Sequence, residues 1–348
     1  MKVALIGLMQ SGKSTLISAI SGKEVPPVGS VNIEEVIVIV PDERLDWLGE
    51  LHKPKKTVHA TVDCLDLPGL SFKDAHTRAA ARRLFSQIRT VDMFVIVVKA
   101  FGERTDPAKD LVELKTEFLL ADLELVTTRI ERLGKQINKP TKTQAKDKAE
   151  LALQLKLQEA LEAEKPISSA IKNDNDFELI KSLGFLTLKP VMVVVNVGED
   201  DLDKKFDFSG RIDQDVEVIT LCATLENELA QLDPASKAEF MADLGITEPA
   251  AKKFVQTCYS TLGLISFLTI GKDEIRAWPI QNGTCALDAA GKVHTDIKRG
   301  FIRAETIKYT DLRELGSEKE CKAAGKVKLE GKTYIVHDGD IINFRFNV

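Results

Sequence analysis

The first fifteen residues constrain this chain more than any other stretch. Val3 to Ile6 is a short apolar run of strand type. Gly7-Leu-Met-Gln-Ser-Gly12-Lys13-Ser14 then fits the phosphate-binding loop G-x-x-x-x-G-K-S/T at every fixed position, and Thr15 to Ile20 has the composition of a helix. Strand, glycine loop and helix in that order are the context that turns the pattern into a site. Two glycines let the backbone curl until successive N–H groups face phosphate oxygens, and the helix N-terminus adds its partial positive charge. Lys13 is expected to reach the β- and γ-phosphates and Ser14 to ligate Mg²⁺, with Gly7, Gln10, Ser11, Gly12 and Thr15 completing the cradle.

A second signal lies about fifty residues on, at the end of a strand predicted over residues 57–67. There Asp66-Leu-Pro-Gly69-Leu70 carries D-x-x-G, with Asp66 expected to hold the Mg²⁺ shell through water and the Gly69 N–H to sense the γ-phosphate. Further buried strands are predicted at residues 35–40, 93–98, 191–195 and 216–221. Near-continuous apolar strands separated by helices indicate a mostly parallel sheet covered on both faces, with ligands beyond the carboxyl ends of the strands. Asp66, Asn196, Cys222 and Ala223 all stand at such ends.

Between the strands at 93–98 and 191–195 the pattern changes to a helical one. Leu111, Leu114, Phe118, Ala121 and Leu125 recur at steps of three and four, and Val126, Ile130, Leu133 and Ile137 continue after a slip. Leu153, Leu157 and Leu161 follow the break at Asn138-Lys-Pro-Thr141. This predicts an antiparallel helical hairpin inserted into the sheet domain. Residues 276–348 shift again, to short strands and regular glycines. This tail carries thirteen Lys and Arg against ten Asp and Glu, hence +3 in a chain whose net charge is −5. Its segment Lys298-Arg-Gly-Phe-Ile-Arg303 interleaves cations with an aromatic ring, which suits RNA backbone and base stacking as well as a solvated strand edge.

The chain has no apolar run of the roughly 18 residues that a membrane span needs, and its amino end has no signal-peptide pattern. Its five cysteines, Cys64, Cys222, Cys258, Cys285 and Cys321, show no metal-ligand spacing and read as reduced thiols. A cytoplasmic protein with no membrane partner and no DNA specificity is expected.

Several longer stretches carry a family resemblance. They are Val40-Pro-Asp-Glu-Arg-Leu-Asp46, Lys53-Pro-Lys-Lys56, Asp66-Leu-Pro-Gly-Leu70, Asn196-Val-Gly-Glu-Asp200, Gly291-Lys-Val-His-Thr-Asp296, Arg299-Gly-Phe-Ile-Arg-Ala304, Ala324-Gly-Lys326 and the tail from Tyr334 to Val348. Over its whole length the chain resembles the YchF, or Obg-like, ATPases, P-loop proteins related to translation factors. The resemblance implies an α/β P-loop NTPase domain at 1–105 and 188–275, an inserted antiparallel coiled-coil arm at 106–187, and a C-terminal β-grasp (TGS) domain at 276–348. It also implies ATP in preference to GTP and association with ribosomes; Mg²⁺ is expected from the phosphate-loop motif, and structured RNA as a further partner from the basic tail.

The base-reading loop suits that preference. Guanine readers carry N-K-x-D, whereas Asn196-Val197-Gly-Glu199 lacks the lysine and has a longer acid. Backbone groups near Val197 and Cys222 are then expected to read the adenine amino group. Departures from the family fall on catalysis. Gln10-Ser11 replaces the family's Asn-Val, which puts a K⁺ requirement in question. No threonine occurs between Thr15 and Thr57 for the first switch, and alignment places Ser30 there as a Mg²⁺ ligand. Leu70 matches the family's hydrophobic replacement of the water-positioning glutamine. The family's histidine after the strand at 93–98 is missing, and His76 is the histidine nearest the switches. The expectation is a slow or partner-stimulated nucleotide hydrolase acting as a conformational switch. A non-hydrolysing nucleotide-gated binding protein is the alternative, and a metabolic P-loop kinase a more distant one.

Overall fold

The structure is a computed structural model of the 348-residue chain and describes residues 1–22, 32–138, 142–213, 216–246 and 248–347. The strands in chain order are β1 (Lys2–Ile6), β2 (Glu34–Ile39), β3 (Lys56–Val58), β4 (Thr61–Asp66), β5 (Met93–Ala100), β6 (Val191–Val197), β7 (Val218–Leu221), β8 (Leu264–Ile270), β9 (Glu274–Gln281), β10 (Phe301–Lys308), β11 (Lys328–Glu330) and β12 (Asp340–Phe346). The helices are α1 (Lys13–Ser21), α2 (Glu43–His52), α3 (Ala75–Gln87), α4 (Pro107–Gln136), α5 (Gln144–Glu162), α6 (Asp174–Ile180), α7 (Ala223–Gln231), α8 (Pro234–Asp243), α9 (Ala250–Thr261), α10 (Ala286–Val293), α11 (Thr295–Arg299), α12 (Tyr309–Leu315) and α13 (Glu318–Ala323). Two compact units result, one of residues 1–36 and 64–237, the other of residues 37–63 and 238–348.

The first unit is built on a sheet of order β2-β4-β1-β5-β6-β7. The β1–β5, β5–β6 and β6–β7 pairs are parallel. Val3 to Ile6 and Met93 to Val98 are essentially without solvent contact, as parallel strands covered on both faces must be. All four strands deliver their carboxyl ends to one edge, and the glycine loop leaves β1 there.

The predicted hairpin is α4 and α5. Asp106 caps α4 by accepting from the Lys109 N–H at 3.0 Å, and Pro107 occupies the first turn, where its missing N–H costs nothing. The antiparallel register follows from paired side chains: Arg129 with Glu150, and Gln136 with Asp147. Val126, Leu153, Leu157 and Leu161 form its core with Ile167, Ile180 and Phe185. Nearer the sheet the hairpin is fixed by charge. Asp122, wholly buried, accepts from Arg89 Nη1 at 2.7 Å, from the Leu186 and Thr187 N–H groups, and from Thr187 Oγ1.

The second unit carries a sheet of order β11-β10-β12-β8-β9-β3. β8 and β9 form an antiparallel hairpin, β12 lies parallel to β8, and β10 is antiparallel to both β12 and β11. Phe267, Ile280, Ala286, Ala290, Phe301, Ile342 and Phe344 make its core. Two sequence expectations change here. The strand predicted over residues 57–67 is two strands in different sheets, because β3 pairs parallel with β9. The C-terminal sheet begins at Leu264 rather than after residue 275. Residues 37–63 and 238–275, placed by sequence with the nucleotide domain, cluster with the C-terminal unit.

Candidate functional site

The glycine loop has little room for any other sequence. Gly12 sits at φ 90°, in left-handed backbone, and a Cβ there would lie 2.0 Å from Asn196 Nδ2. A Cβ on Gly7 would meet the Val97 carbonyl oxygen at 2.4 Å. Gln10 adopts φ 61°, a cost that the turn imposes on a residue with a side chain. The loop feeds directly into α1, whose first residue is Lys13.

Lys13 is 5% exposed, and its ammonium donates to the Gly7 and Leu8 carbonyls at 3.1 and 3.3 Å and to Ser11 Oγ at 3.4 Å. Burial lowers its pKa to about 8, an effect partly opposed by the nearby Asp66 carboxylate. The cation is thus held inside the loop by neutral oxygens, poised for an anion. Ser14 Oγ donates to Asp66 Oδ2 at 2.7 Å, while Asp66 Oδ1 is buried without a hydrogen-bond partner. Burial raises the pKa of Asp66, with the Ser14 bond and Lys13 opposing. A hydroxyl and a partnerless carboxylate oxygen side by side fit a hard divalent cation such as Mg²⁺. Among the described residues there is no metal-holding group of three or more His, Cys, Asp or Glu. A bound Mg²⁺ would therefore draw its other ligands from water and phosphate, which is its usual habit.

The end of β4 is stitched to the loop by backbone. Leu70 N–H donates to the Gly7 carbonyl at 3.1 Å, and Met9 N–H donates to the Leu70 carbonyl at 2.9 Å. Gly69 permits this approach, since a Cβ there would stand 2.9 Å from Met9 Cα. The Leu70 side chain is buried. Leu8 and Met9 occupy variable positions of the motif, so no sequence signal marks them as the partners of Leu70.

Asn196, at the end of β6, is used at both ends of its amide. Nδ2 donates to the Ser11 carbonyl and Oδ1 accepts from the Ala223 N–H, both at 2.9 Å. It braces the phosphate loop against the N-terminus of α7. Val197, Cys222 and Ala223 are buried beside it, and Glu199 is exposed on the short turn Glu199–Asp201. Thr15 is half-buried in the first turn of α1. His76 is exposed in the first turn of α3, behind the Asp74–Thr77 capping box, and no hydrogen bond among the described residues joins it to Lys13, Ser14 or Asp66. Ser30 lies outside the described residues.

The tail segment proposed for base stacking does not offer a ring. Phe301 is a core residue of the second unit, Lys298 pairs with Asp288 at 2.7 Å, and Arg299 pairs with Asp296 at 3.1 Å. Alternation along β10 turns the aromatic inward, so these residues cannot act together as a stacking platform.

Comparison with known proteins agrees with this geometry. A family model described as 50S ribosome-binding GTPase matches residues 2–129, and the YchF GTPase C-terminal family, described as a protein of unknown function, matches residues 264–347. The Bacillus subtilis protein named ribosome-binding ATPase YchF is 39% identical over 99% of this chain and 98% of its own length. The chain belongs to the YchF family. A rice protein named Obg-like ATPase 1 is 37% identical over the whole chain and 92% of its own length. The solved structure of the Schizosaccharomyces pombe YchF GTPase superposes with a TM-score of 0.83 at 30% identity, covering 99% of this chain and 97% of that one. The fold is accordingly the YchF one, a P-loop GTPase domain with a C-terminal YchF unit.

Proposed function

We propose that this YchF-family chain binds ATP in preference to GTP at the glycine loop, hydrolyses it slowly, and acts as a nucleotide-controlled switch on the ribosome. The observation that carries the reading is the buried Lys13 ammonium inside a loop whose next residue, Ser14, is hydrogen-bonded to Asp66. That arrangement offers a cation, hydrogen-bond donors and oxygen ligands to a triphosphate within one hydrogen-bonded cluster. The names of the relatives, ribosome-binding ATPases, support hydrolysis over gated binding and supply the partner. They also favour a cytoplasmic site, and no helix among the described residues is long and apolar enough to cross a membrane.

Lys13 would move from its carbonyl partners to the β- and γ-phosphate oxygens, regaining a fully charged state. Ser14 Oγ and Asp66 would hold Mg²⁺, which when bound neutralises charge on those oxygens. Backbone N–H groups of Gly12, Lys13 and Ser14 orient the phosphates, and Gly69 lies where the end of β4 reports on the γ-phosphate. Buried Leu70 has no group that hydrogen-bonds an attacking water, and this makes unassisted turnover slow. Val197 in place of the lysine, and exposed Glu199 in place of the aspartate, remove the contacts that select guanine. The hairpin reads as the coiled-coil arm and the C-terminal unit as the TGS module. The test is single-turnover hydrolysis with and without ribosomes. Slow hydrolysis accelerated by ribosomes is expected. Brisk hydrolysis by the isolated protein that His76→Ala abolishes would make His76 the catalytic base and overturn the slow-switch reading.

A further inference from the structure

We infer that the C-terminal unit carries a second ligand site, a cleft on the outer face of its sheet that takes a small carboxylate with an apolar body. The inference goes beyond the nucleotide reading and uses none of its residues.

Strand register builds the cleft. Ala304 pairs with Phe344 and Thr306 with Ile342. Ala304, Ile342 and Phe344 pack in the core with Ala286, Ala289 and Ala290 of α10. Alternation then sends Glu305 and Ile307 of β10, with Asn343 and Ile341 of β12, to the opposite face. Ile341 pairs with Leu268, so Ile270, two residues further along β8, joins that face. An aliphatic sheet face needs a cover, and α13 gives it a partial one. That helix has six residues and supplies a wall through Glu318, Lys319 and Lys322. A cleft of about 430 Å³ remains, floored by Ile270, Ile307 and Ile341 and closed on one side by Val327. Its size and its apolar floor with a few polar groups at the rim are those of a small-molecule site.

Charge at the rim selects the ligand. Glu305 is already neutralised, since Arg345 pairs with it and Asn343 Nδ2 donates to its Oε2 at 3.3 Å. Two neighbouring cations are also engaged, Lys308 with Asp340 at 2.6 Å and Lys326 with Asp311 at 2.9 Å. Lys319 and Lys322 differ. Both are exposed, and no hydrogen bond or ion pair among the described residues engages either of them. Three residues apart on one helix, they are surface neighbours whose like charges repel, and an anion between them relieves that repulsion. Glu318 is the acid of the same wall and stands in the first turn of α13, where the helix dipole favours it. Two lysines against this one acid leave a single positive charge at the rim, the complement of one carboxylate.

The lining disfavours other ligands. Among the described residues it holds no aromatic ring on which a base could stack and no arginine to grip a phosphate with two parallel hydrogen bonds. A cation would meet the free lysines. An aliphatic chain laid over the three isoleucines, with its carboxylate between Lys319 and Lys322, satisfies floor and rim together.

The test uses the full chain labelled with ¹³C in its isoleucine δ1 methyl groups and titrated with decanoate below its micelle concentration. Saturable shifts of the Ile270, Ile307 and Ile341 methyls are expected. Decanol should bind at least about tenfold more weakly, roughly 1.4 kcal/mol, because it lacks the charge. The double variant Lys319→Gln, Lys322→Gln alters exposed side chains and should weaken decanoate by a similar factor. Val327→Phe, which fills the cleft and leaves its charges in place, should abolish the shifts, and thermal melting checks that both variants are folded. Lys13→Ala should leave decanoate binding unchanged, so the cleft is tested separately from the nucleotide loop. Absence of shifts in the unaltered protein overturns the inference, as do equal shifts at exposed Ile37 and Ile302, which would mark unspecific adsorption. Equal affinity for decanol, or undiminished binding by either folded cleft variant, also overturns it.

Discussion

Lys13 links the state of the loop to pH. In the free protein burial depresses its pKa to about 8 from an ordinary 10.5. Folding therefore favours the neutral amine, and the unfolded chain binds more protons between those two values. Stability of the free protein should rise with pH across that window. A triphosphate reverses the preference by facing the amine with negative charge. Calorimetric titration of ATP at pH 8 should show uptake of about half a proton per nucleotide, read from the dependence of the heat on buffer ionisation. Affinity should fall as the pH is raised further. No proton uptake would mean that Lys13 is already fully charged in the free loop. Gly12→Ala tests the loop sterically. The new methyl needs left-handed backbone and the place now held by Asn196 Nδ2, so ATP binding should be lost together with the Asn196 brace. Gly7, Gly12, Lys13 and Ser14 stand out in sequence because their spacing within the motif is local, and Asp66 because it opens its own local D-x-x-G; that Ser14 bonds Asp66 across 52 residues is not written in either motif. The double use of Asn196 was not, since its partners Ser11 and Ala223 are 185 and 27 residues away and meet it only once the sheet has formed.

At the scale of elements, the hairpin was readable from its three-and-four periodicity, while its anchoring was not. Asp122 falls on the same heptad-like stripe as its apolar neighbours and gives no sign that it accepts from Arg89 and two backbone N–H groups. Removing a partner from such a buried pair strands the other charge. Asp122→Ala should destabilise the first unit by about 3–5 kcal/mol, measured as a shift in its urea midpoint, and a change below about 1 kcal/mol would show that Arg89 finds water instead. Glu117 is a second tie. It is buried and receives both Arg78 and Arg82 of α3, at 3.2 Å each. α3 follows the D-x-x-G segment, so this pair joins that segment to the hairpin inside one unit. The division of residues 56–66 between two sheets escaped detection for a related reason. Alternation identifies a strand and not the sheet that it joins. Phe301 shows the same limit: its neighbours Lys298 and Arg303 made it look like a stacking residue, and only the register of β10 against β12 turns it inward.

At the scale of the whole molecule, this YchF-family protein carries a braced phosphate loop and a long charged hairpin in one unit. The proposed nucleotide choice belongs to this scale because the residues assigned to it stand on β6, on the turn after it and at the start of α7. Val197→Lys combined with Glu199→Asp should move preference toward GTP. Wild-type affinity for GTP more than about tenfold above that for ATP, roughly 1.4 kcal/mol, would contradict the reading of the base loop. The most direct test of the central claim is isothermal titration of Mg²⁺·ATP into the wild-type chain and into Lys13→Ala, with thermal melting of both. The account predicts saturable one-site binding by the wild type and none by a variant that melts as a folded protein. Equal ATP affinity in a folded Lys13→Ala chain would contradict it.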